Sequence, residues 1–593
     1  MVNCSIQQIK TKEPGNVNMD KLYSINKVTD LKDLMEQSCS LYRDKAAFLI
    51  KGDNDDYSSI SYGKFGADVE AFGTALLKLG LKDCSIAVLG ENRYEWCLSY
   101  LSVVNGVGTV VPLDKELPQE EIKNLLERSE AAAIIFSSKH REQVKMLQGS
   151  IPAVKYYIDM DSEINEDGIL SFEQVLQTGK QLVKEGDKSF ASAEVDPHAG
   201  RILIFTSGTT DIAKGVMLSH GNICSNIMAV CSTVYVDSQD SSLSILPLHH
   251  TYECTLGFLA FIYSGATVSF NDSLRNLVKN LKNVKPTIMI TVPLLLENIY
   301  KKVQSKLKKR RAGKLKFYLA VYLTNFLAQL FGIDLRRKVF KEIHEGFGGE
   351  MRLIIVGAAS VNPIVSRFFR KIGIHVLQGY GLTECSPLVA GNRDNSFMDK
   401  SCGRPIPGVE IKILDPDKKG VGEILVKGKN VMLGYFKNEK ATQKSLNNGW
   451  FYTGDLGYTD KKGFLYITGR LKNVIVTKNG KKIFPEEVES YINSNPLVQD
   501  SFVWGKYEES SGDTVVCAQI LPNIEAIVQK FNEISMTKDE LTKILKDIVI
   551  TANRKMPLYK HIKEFSIRES EFIRTTTHKI KRYVEEAQGN LSQ

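Results

Sequence analysis

The sequence lacks the cysteine spacing of a disulfide scaffold or a zinc module. Its ten cysteines form no CxxC clamp, and Cys224, Cys231 and Cys254 are too far apart to act as one. Scattered reduced thiols of this kind are typical of a cytosolic protein. No run of roughly 18 or more apolar residues is present, and residues 1–15 have no apolar signal-peptide core. We therefore expect a cytoplasmic protein without a transmembrane helix.

The sequence also lacks a general excess of basic residues. Its net charge is +9, from 77 Lys and Arg against 68 Asp and Glu, and residues 301–316 alone carry nine Lys or Arg and no acid. Removing that stretch leaves 68 basic against 68 acidic residues, so the basicity is local. A general nucleic-acid-binding protein would need a basic surface elsewhere, and no nucleic-acid partner is expected.

The apolar pattern predicts an α/β protein. A chain of 593 residues is too long for one core, so two or more domains are expected. Apolar runs alternate with amphipathic helical stretches such as 68–81, which is the order of parallel sheets. The runs predicted as buried strands are 85–90, 109–114, 132–138, 201–207, 287–293 and 352–358.

The pattern changes after about residue 400. Residues 408–428 alternate with period two around a DPDKKG turn, which predicts an antiparallel β-section. A small α+β tail follows. We therefore expect a large N-terminal domain of parallel-type αβ sheets plus the β-section over 1–470, and a small α+β domain over 471–593, joined by a hinge at 469–472.

The strongest local signal is TSGTTDIAKG at 206–215, directly after the strand RILIF. Its small and hydroxyl residues can present N–H and O–H groups to phosphate oxygens, and Lys214 can reach a terminal phosphate. The Walker A spacing is missing, so a P-loop is not expected. The alternative is an ordinary turn between a strand and a helix.

Four weaker segments add chemistry. In GYGLTE (379–384), Tyr380 offers a face for a purine, Thr383 can bond a phosphate, and Glu384 can bind Mg²⁺. In WFYTGDLGY (450–458), Asp455 is predicted in a tight glycine turn, where it can bond both ribose hydroxyls.

The other two lie near the end of the chain. In 469–489, Arg470 can support the same ribose, and the KNGKK turn can approach a ligand with its backbone. TTTHKIKRY (575–583) places a lysine among small residues, although such a segment is more often a solvated tail.

These five segments, in this order from 206 to 583, resemble the adenylate-forming superfamily of acyl-CoA synthetases, luciferases and peptide-synthetase adenylation domains. The resemblance spans roughly 30–585 and implies ATP and coenzyme A as substrates, with Mg²⁺. It implies that the 206–215 loop binds the β- and γ-phosphates, that 357–359 line the adenine, and that Tyr380 stacks on it. The ATP- and AMP-binding residues so implied are Thr206, Ser207, Gly208, Thr209, Thr210, Lys214, Gly357, Ala358, Ala359, Tyr380, Gly381, Asp455 and Arg470.

The resemblance also implies the reacting groups. Lys579 is similar to the lysine that bridges the substrate carboxylate and the α-phosphate, and Thr383 and Glu384 serve the α-phosphate and the metal. His250, in LPLHHTY, is similar to the family's acyl-pocket histidine, and Lys472 to its hinge residue. The turn expected on the coenzyme A side comprises Lys478, Asn479, Gly480 and Lys481.

The sequence departs from the family pattern at two places. Asp211 and Ala213 replace Gly and Pro in the phosphate loop, and His578 replaces the Gly before Lys579. Neither change removes a reacting group. They keep open a non-catalytic nucleotide- or lipid-binding relative as an alternative.

Residues 308–349 lie where long-chain fatty acyl-CoA synthetases carry a helical insertion, so the resemblance favours a long-chain fatty acid. Within the insertion, 317–331 are apolar nearly all round a helix and follow the basic stretch. Residues 301–331 therefore offer a peripheral membrane contact, the alternative being a buried helix with a solvated flank. The basic stretch also suits an acyl carrier protein, which would make the chain an acyl-AMP ligase that loads such a carrier.

Overall fold

The computed structural model describes residues 22–52, 54–206, 213–309, 313–478, 481–509, 512–532, 537–574, 580–582 and 584–585, with no account of the side chains of 308 and 309. Its strands are β1 (Ala46–Lys51), β2 (Tyr57–Ser61), β3 (Ser85–Leu89), β4 (Thr109–Leu113), β5 (Ala131–Phe136), β6 (Tyr156–Asp159), β7 (Ile169–Ser171), β8 (Gly200–Thr206), β9 (Lys214–Ser219), β10 (Ser241–Ser244), β11 (Thr267–Phe270), β12 (Ile288–Thr291), β13 (Leu353–Val356), β14 (His375–Gly381), β15 (Leu388–Gly391), β16 (Arg404–Pro405), β17 (Val409–Leu414), β18 (Gly422–Gly428), β19 (Gly434–Tyr435), β20 (Leu446–Asn447), β21 (Trp450–Thr459), β22 (Leu465–Arg470), β23 (Ile475–Val476), β24 (Lys482–Ile483), β25 (Val498–Glu508), β26 (Asp513–Pro522) and β27 (Ile562–Ile567).

The α-helices are α1 (Leu31–Leu41), α2 (Tyr62–Lys78), α3 (Tyr94–Ser102), α4 (Gln119–Arg128), α5 (Arg141–Leu147), α6 (Phe172–Lys184), α7 (His220–Cys231), α8 (Ala260–Tyr263), α9 (Leu277–Val284), α10 (Pro293–Lys309), α11 (Gly313–Phe331), α12 (Arg336–Val339), α13 (Lys341–Gly346), α14 (Pro363–Lys371), α15 (Glu439–Ser445), α16 (Pro485–Asn493), α17 (Ile524–Phe531) and α18 (Lys538–Asn553). Two π-helical segments, Val103–Val107 and Tyr252–Leu259, interrupt this pattern.

Two large sheets form the N-terminal part. One has the order β19-β9-β8-β4-β3-β5-β6-β7, and the other β16-β15-β14-β13-β12-β10-β11-β1-β2. Their central strands pair in parallel, because helical crossovers connect them. Antiparallel pairs close the edges, at β1–β2, β8–β9 and β14–β15. The parallel strands predicted from the apolar runs are confirmed, and the antiparallel edges make both sheets mixed.

The later segments follow the predicted change of pattern. β17, β18, β21, β20 and β22 form an antiparallel sheet, which confirms the β-section expected at 408–428. Beyond it, β25–β27 and α16–α18 enclose a separate hydrophobic cluster that begins at Ile475. This confirms a large N-terminal and a small α+β C-terminal part, while the boundary at 470/471 stays a prediction.

The described part of the predicted insertion, 308–349, begins at the end of α10 and contains the helices α11, α12 and α13. α11 packs one side against the core, through Phe317, Val321 and Thr324. The sequence predicts residues 317–331 as a helix that is apolar nearly all round. The structure exposes the large apolar side chains Tyr318, Leu319, Tyr322, Leu323, Phe326, Leu330 and Phe331 of this stretch. Among the described residues, no helix combines the length and apolarity needed to cross a membrane.

One carboxyl group is buried deep beside the second sheet. Glu253 is 1% exposed, and its Oε1 accepts a hydrogen bond from the Ser244 hydroxyl at 2.6 Å. Within the described structure its Oε2 has no hydrogen-bond partner. A Cβ on Gly257 would lie 2.6 Å from the carboxyl carbon, so only glycine leaves room for this group. Burial raises the pKa of Glu253 to about 8.

We predict that Glu253→Gln flattens the dependence of stability on pH. The folded-state pKa of Glu253 lies above the ordinary value of 4.5. The contribution of this protonated carboxyl to the free energy of unfolding is therefore full below pH 4.5, and it is lost as the pH rises through about 8. Between pH 5.5 and 7.5 the parent chain should lose about 2 kcal/mol that the variant does not lose. Thermal unfolding at several pH values measures this. Glu127→Gln, at an exposed glutamate, is the control, and equal pH slopes for all three proteins would contradict the buried neutral carboxyl.

Candidate active site

Strand ends and one hairpin bring the predicted site residues together. Gly357 follows β13, Tyr380 and Gly381 end β14, and Lys214 begins β9 opposite Thr206 at the end of β8. Since β13 and β14 are parallel neighbours, their carboxyl ends open at the same edge of the sheet. Gly357, Tyr380 and Gly381 therefore lie at the edge where open α/β sheets bind their ligands.

Asp455 is the centre of the predicted ribose group. Its Oδ2 accepts a hydrogen bond from the Tyr380 hydroxyl at 2.7 Å, and its Oδ1 lies 2.9 Å from Arg470 Nε. The Asp455 side chain is buried, and its negative charge raises the pKa of the Arg470 guanidinium. Burial raises the pKa of the Tyr380 phenol, and Asp455 adds to this. The structure therefore joins three residues that the sequence places 75 and 15 positions apart.

The local structure around Asp455 differs from the prediction. A tight glycine turn is expected there, but Asp455 lies inside β21, with Arg470 as its antiparallel partner on β22. The glycine before it, Gly454, has φ of 70°, and the register shifts between Leu456 and Gly457. The glycines thus form an irregular strand rather than a turn, because β22 pairs with this segment directly.

Glu384 belongs to a second group that the sequence did not predict. Its Oε1 accepts a hydrogen bond from the Tyr435 hydroxyl at 3.0 Å, and the Lys214 ammonium lies 4.7 Å from the centre of the Tyr435 ring. Tyr435 therefore connects the phosphate-loop lysine with the predicted metal ligand. Sequence reasoning missed it because Tyr435 is 51 residues from Glu384 and carries no local motif.

Two buried asparagines fix the segment that carries Thr383 and Glu384. This segment is a short 3₁₀ turn, Thr383–Cys385. The side-chain amides of Asn226 and Asn430 each donate to the backbone carbonyls of Cys385 and Leu388, at 2.8–3.2 Å. The turn is therefore held from α7 on one side and from the β-section on the other.

Tyr252 packs against the predicted adenine loop, residues 357–359. Its hydroxyl donates to the carbonyls of Thr291 and Ile355, both at 3.3 Å. A Cβ built on Gly357 would lie 2.7 Å from the ring carbon Cζ of Tyr252. Ala358 has φ of 69°, a left-handed conformation rare outside glycine. The 357–359 loop thus takes an unusual path that depends on the absence of a side chain at 357.

His250 lies next to a second histidine. The rings of His249 and His250 are 4.2 Å apart between centroids, and His249 Nε2 lies 3.5 Å from Asp114 Oδ2. Burial lowers the pKa of His249 to about 3, so its imidazole is neutral at physiological pH. The structure places His250 two residues before Tyr252, at the start of the π-helical segment, and its acyl-pocket role stays a prediction.

Several predicted residues lie outside the described structure. They are Ser207, Gly208, Thr209, Thr210, Asp211, Asn479, Gly480, Thr577, His578 and Lys579. Their roles stay predictions. β8 and β9 pair in antiparallel fashion, with Thr206 opposite Lys214. The strand expected before the loop is therefore confirmed. The element after the loop is a second strand, β9, and not a helix.

Positive charge accumulates at the predicted hinge. Lys472 lies in the 3₁₀ turn Leu471–Asn473, and its pKa is lowered by burial and then by the nearby charges of Lys214 and Arg470. Together with Glu384 and Asp455, the site thus combines three cations, two carboxylates and an aromatic face. Such a group can bind a nucleotide through its phosphates, its ribose and its base.

Lys478 and Lys481, the described residues of the segment predicted on the coenzyme A side, contact other elements of the C-terminal part. The Lys478 amide donates to Asp513 Oδ1 at 2.6 Å, and the Lys481 ammonium lies 4.6 Å from the Tyr559 ring centre. Further along the chain, Arg582 Nη2 lies 2.6 Å from both carboxylate oxygens of Glu489. Arg582, three residues beyond Lys579, is therefore bound to α16.

The fold and the site define an adenylate-forming enzyme. The sequence profile of the AMP-binding enzyme family matches residues 35–436, and that of the AMP-binding enzyme C-terminal domain matches 472–588. The chain therefore belongs to the AMP-binding enzyme family, which confirms the resemblance.

Curated proteins that are similar to this chain include long-chain-fatty-acid–CoA ligases. Long-chain-fatty-acid–CoA ligase 5 of Mus musculus is 31% identical over 76% of this chain and 70% of its own. A long-chain-fatty-acid–CoA ligase of Mycobacterium bovis is 28% identical over 76% of each chain. Relatives with this activity thus share most of the length of the chain.

Solved structures share the fold. An anthranilate CoA ligase in complex with anthranoyl-AMP is similar with a TM-score of 0.74 at 18% identity, over 95% of this chain and 98% of the other. O-succinylbenzoate coenzyme A synthetase of Bacillus subtilis, in complex with ATP and a magnesium ion, gives 0.67 at 22%, over 93% and 98%. The predicted fold class is confirmed by these likenesses.

We predict that Gly357→Ala damages the adenine loop and that Tyr252→Leu, in the same chain, partly restores it. The new methyl group would overlap the Tyr252 ring, and such overpacking costs about 1–3 kcal/mol. Calorimetry gives the stability and the Kd for ATP. Gly346→Ala, where a Cβ meets nothing within 4 Å, is the matched control. A double variant as impaired as the sum of the single changes would argue against this contact.

Proposed function

We propose that the chain ligates a long-chain fatty acid to coenzyme A through an acyl-AMP intermediate. In the first half-reaction a carboxylate oxygen of the acid bonds to the α-phosphorus of ATP, and pyrophosphate leaves. In the second, the sulfur of coenzyme A bonds to the acyl carbonyl carbon, and AMP leaves. The observation that carries this proposal is the cluster of Tyr380, Asp455 and Arg470 in a chain whose relatives are long-chain-fatty-acid–CoA ligases.

The contacts among these residues support nucleotide roles for them. In this proposal Tyr380 supplies the face for adenine together with 357–359, and Asp455 with Arg470 binds the ribose hydroxyls. The 206–214 hairpin, with Lys214 at its base, receives the β- and γ-phosphates. Each cation about 4 Å from a phosphate contributes roughly 4 kcal/mol at an effective dielectric of 20. The two negatively charged reactants therefore meet in a site that already carries positive charge.

Glu384 fits the requirements of Mg²⁺. One of its oxygens is bonded by Tyr435, and Mg²⁺ is usually bound by one or two carboxylates together with phosphate oxygens. No group of three or more His, Cys, Asp and Glu suited to a metal occurs in the described part of the chain, which agrees with a metal that arrives with ATP. When bound, Mg²⁺ neutralises phosphate charge, and Thr383 beside it orients the α-phosphate.

Lys579 and the small domain divide the two half-reactions in this proposal. Lys579 neutralises the charge that develops as the carboxylate approaches the α-phosphorus. The domain beyond 470 then rotates about Lys472, which removes Lys579 and brings the 478–481 turn to the thiol. The contact of Arg582 with Glu489 supports this, because it ties a residue three positions beyond Lys579 to α16 of the small domain.

The insertion supports a long acyl chain. α10 and α11 extend the apolar cluster of the second sheet, and in this proposal the acyl chain lies near His250. A long tail consists of CH₂ groups worth about 0.8 kcal/mol each on burial. We place the enzyme in the cytoplasm, with a peripheral membrane contact where its acid is enriched. An acyl carrier protein as acceptor is the second candidate, favoured by the exposed lysines of 301–316.

A pyrophosphate-release screen tests the function. We expect release that depends on ATP, Mg²⁺ and an acid, that is strongest for long chains among acids from C2 to C20, and that gives a thioester with coenzyme A. Parallel reactions with an acyl carrier protein identify the acceptor. Absence of acid-dependent release would refute the proposal and favour a binding protein.

Two variants should separate the half-reactions. Lys579→Ala should reduce adenylate formation by at least about a hundredfold and spare thioester formation from supplied acyl-AMP, because its charge serves only the first step. Lys472→Pro should spare adenylation and slow thioester formation, because proline restricts the hinge. Single-turnover assays of each half give the four rates. Equal losses in both halves for either variant would contradict its assigned role.

A further inference from the structure

A continuous apolar stripe runs along the outer face of α11. The exposed fraction of its side chains is 44–74%, although each is large and apolar. The members of the α11 stripe are Leu315, Tyr318, Leu319, Tyr322, Leu323, Phe326 and Leu330. At about 100° per residue they fall within an arc of roughly 140°, so they form one face of the helix.

The opposite face of α11 is firmly packed. Phe317 stacks with Phe368 at 5.7 Å between ring centroids, and Asn325 donates to the carbonyl of Lys371 at 2.8 Å. The orientation of the helix is thus fixed by α14, and the stripe cannot turn inward by rotation. A soluble surface rarely exposes so large an apolar patch unless another surface covers it.

Basic residues border the stripe and are exposed on the preceding helix. By helix geometry Lys314 and Lys316 lie at its two borders near the start of α11, and Lys302 and Lys306 are exposed on α10. No Asp or Glu occurs between Glu297 and Asp334. The two helices thus offer exposed apolar side chains and positive charge, with no acid in their sequence after Glu297.

We propose that the α11 stripe lies in the surface of an anionic lipid bilayer, with the lysines of α10 and α11 against the lipid headgroups. A helix with an apolar face flanked by Lys and Arg is the pattern of interfacial binding. The aromatic side chains of Tyr318, Tyr322 and Phe326 suit the boundary between headgroups and acyl chains.

Charge favours a bilayer over a second copy of the chain. Two stripes packed face to face with parallel helices would bring Lys314 and Lys316 of both copies together, and in either orientation no acid on the stripes would compensate these charges. An anionic lipid surface supplies the missing negative charge. The inference rests on the proposed function in one respect: a long-chain fatty acid partitions into membranes, so an enzyme held there meets it at high concentration.

Co-sedimentation of the full chain with vesicles tests the proposal without any substrate. We expect binding to phosphatidylcholine mixed with phosphatidylglycerol at low salt, and weaker binding to phosphatidylcholine alone. Replacing Tyr322 and Phe326 by Ser should lower the partition coefficient at least about tenfold on anionic vesicles at both low and high salt. Replacing Lys302, Lys306, Lys314 and Lys316 by Gln should lower it at least about tenfold at low salt only.

Matched variants control for general effects. Lys418, Lys419, Lys461 and Lys462, all exposed on the β-section, changed to Gln remove the same charge elsewhere, and Ile164→Ser with Tyr507→Ser removes exposed apolar surface elsewhere. Both should bind vesicles like the parent chain, and circular dichroism checks that every variant is folded.

Two results would overturn the proposal. One is a parent chain that stays in the supernatant with anionic vesicles at low salt. The other is a parent chain that sediments as a dimer which the Tyr322/Phe326 variant dissociates while vesicle binding is unchanged, since the stripe would then join two copies. Pyrophosphate release on a soluble short acid, measured in parallel, should be equal for all variants, so loss of membrane binding is distinguished from failure of the proposed reaction.

Discussion

The buried carboxylate of Asp455 is the contact on which the site depends. It joins Tyr380 of the nine-stranded sheet to Arg470 at the end of the β-section, so one carboxylate contacts both sheets. A buried carboxylate depends on its hydrogen-bond and ion-pair partners, because without them its charge is poorly compensated. Arg470 immediately precedes the 3₁₀ turn that contains Lys472, so this contact lies directly beside the predicted hinge.

Three cations, Lys214, Arg470 and Lys472, lie in the same region as this carboxylate. Burial lowers the pKa of Lys472, and the charges of Lys214, Lys444 and Arg470 lower it further. Positive charges held close together repel, and a polyphosphate relieves that repulsion when it binds. In the proposed reaction, release of pyrophosphate would restore the repulsion next to the hinge, which gives a physical reason for the domain beyond it to move at that step.

The sequence predicts features that depend on neighbouring residues and misses those that depend on contacts between distant ones. Buried strands such as 85–90 and 352–358 are recognised as apolar runs, and the loop at 206–215 is recognised by its small and hydroxyl residues. Tyr252 and Tyr435 have no such signal, because their roles arise from contacts with Gly357 and Glu384 that lie 105 and 51 residues away. The turn expected at Asp455 was wrong for the same reason, since pairing with β18 on one side and β22 on the other makes that segment a strand.

The end of the chain shows how a distant lysine can be coupled to the hinge. Arg582 binds Glu489, and its Nε lies 3.7 Å from Glu486 Oε1, which also accepts a hydrogen bond from Asn473 at 2.7 Å. Burial raises the pKa of Glu489, although Arg582 beside it acts in the opposite direction. These contacts run from the residue after Lys472 to a residue three positions beyond Lys579. In the proposed reaction, a rotation at Lys472 that carried Asn473 and α16 would also carry Arg582, three positions beyond Lys579, because these contacts tie them together.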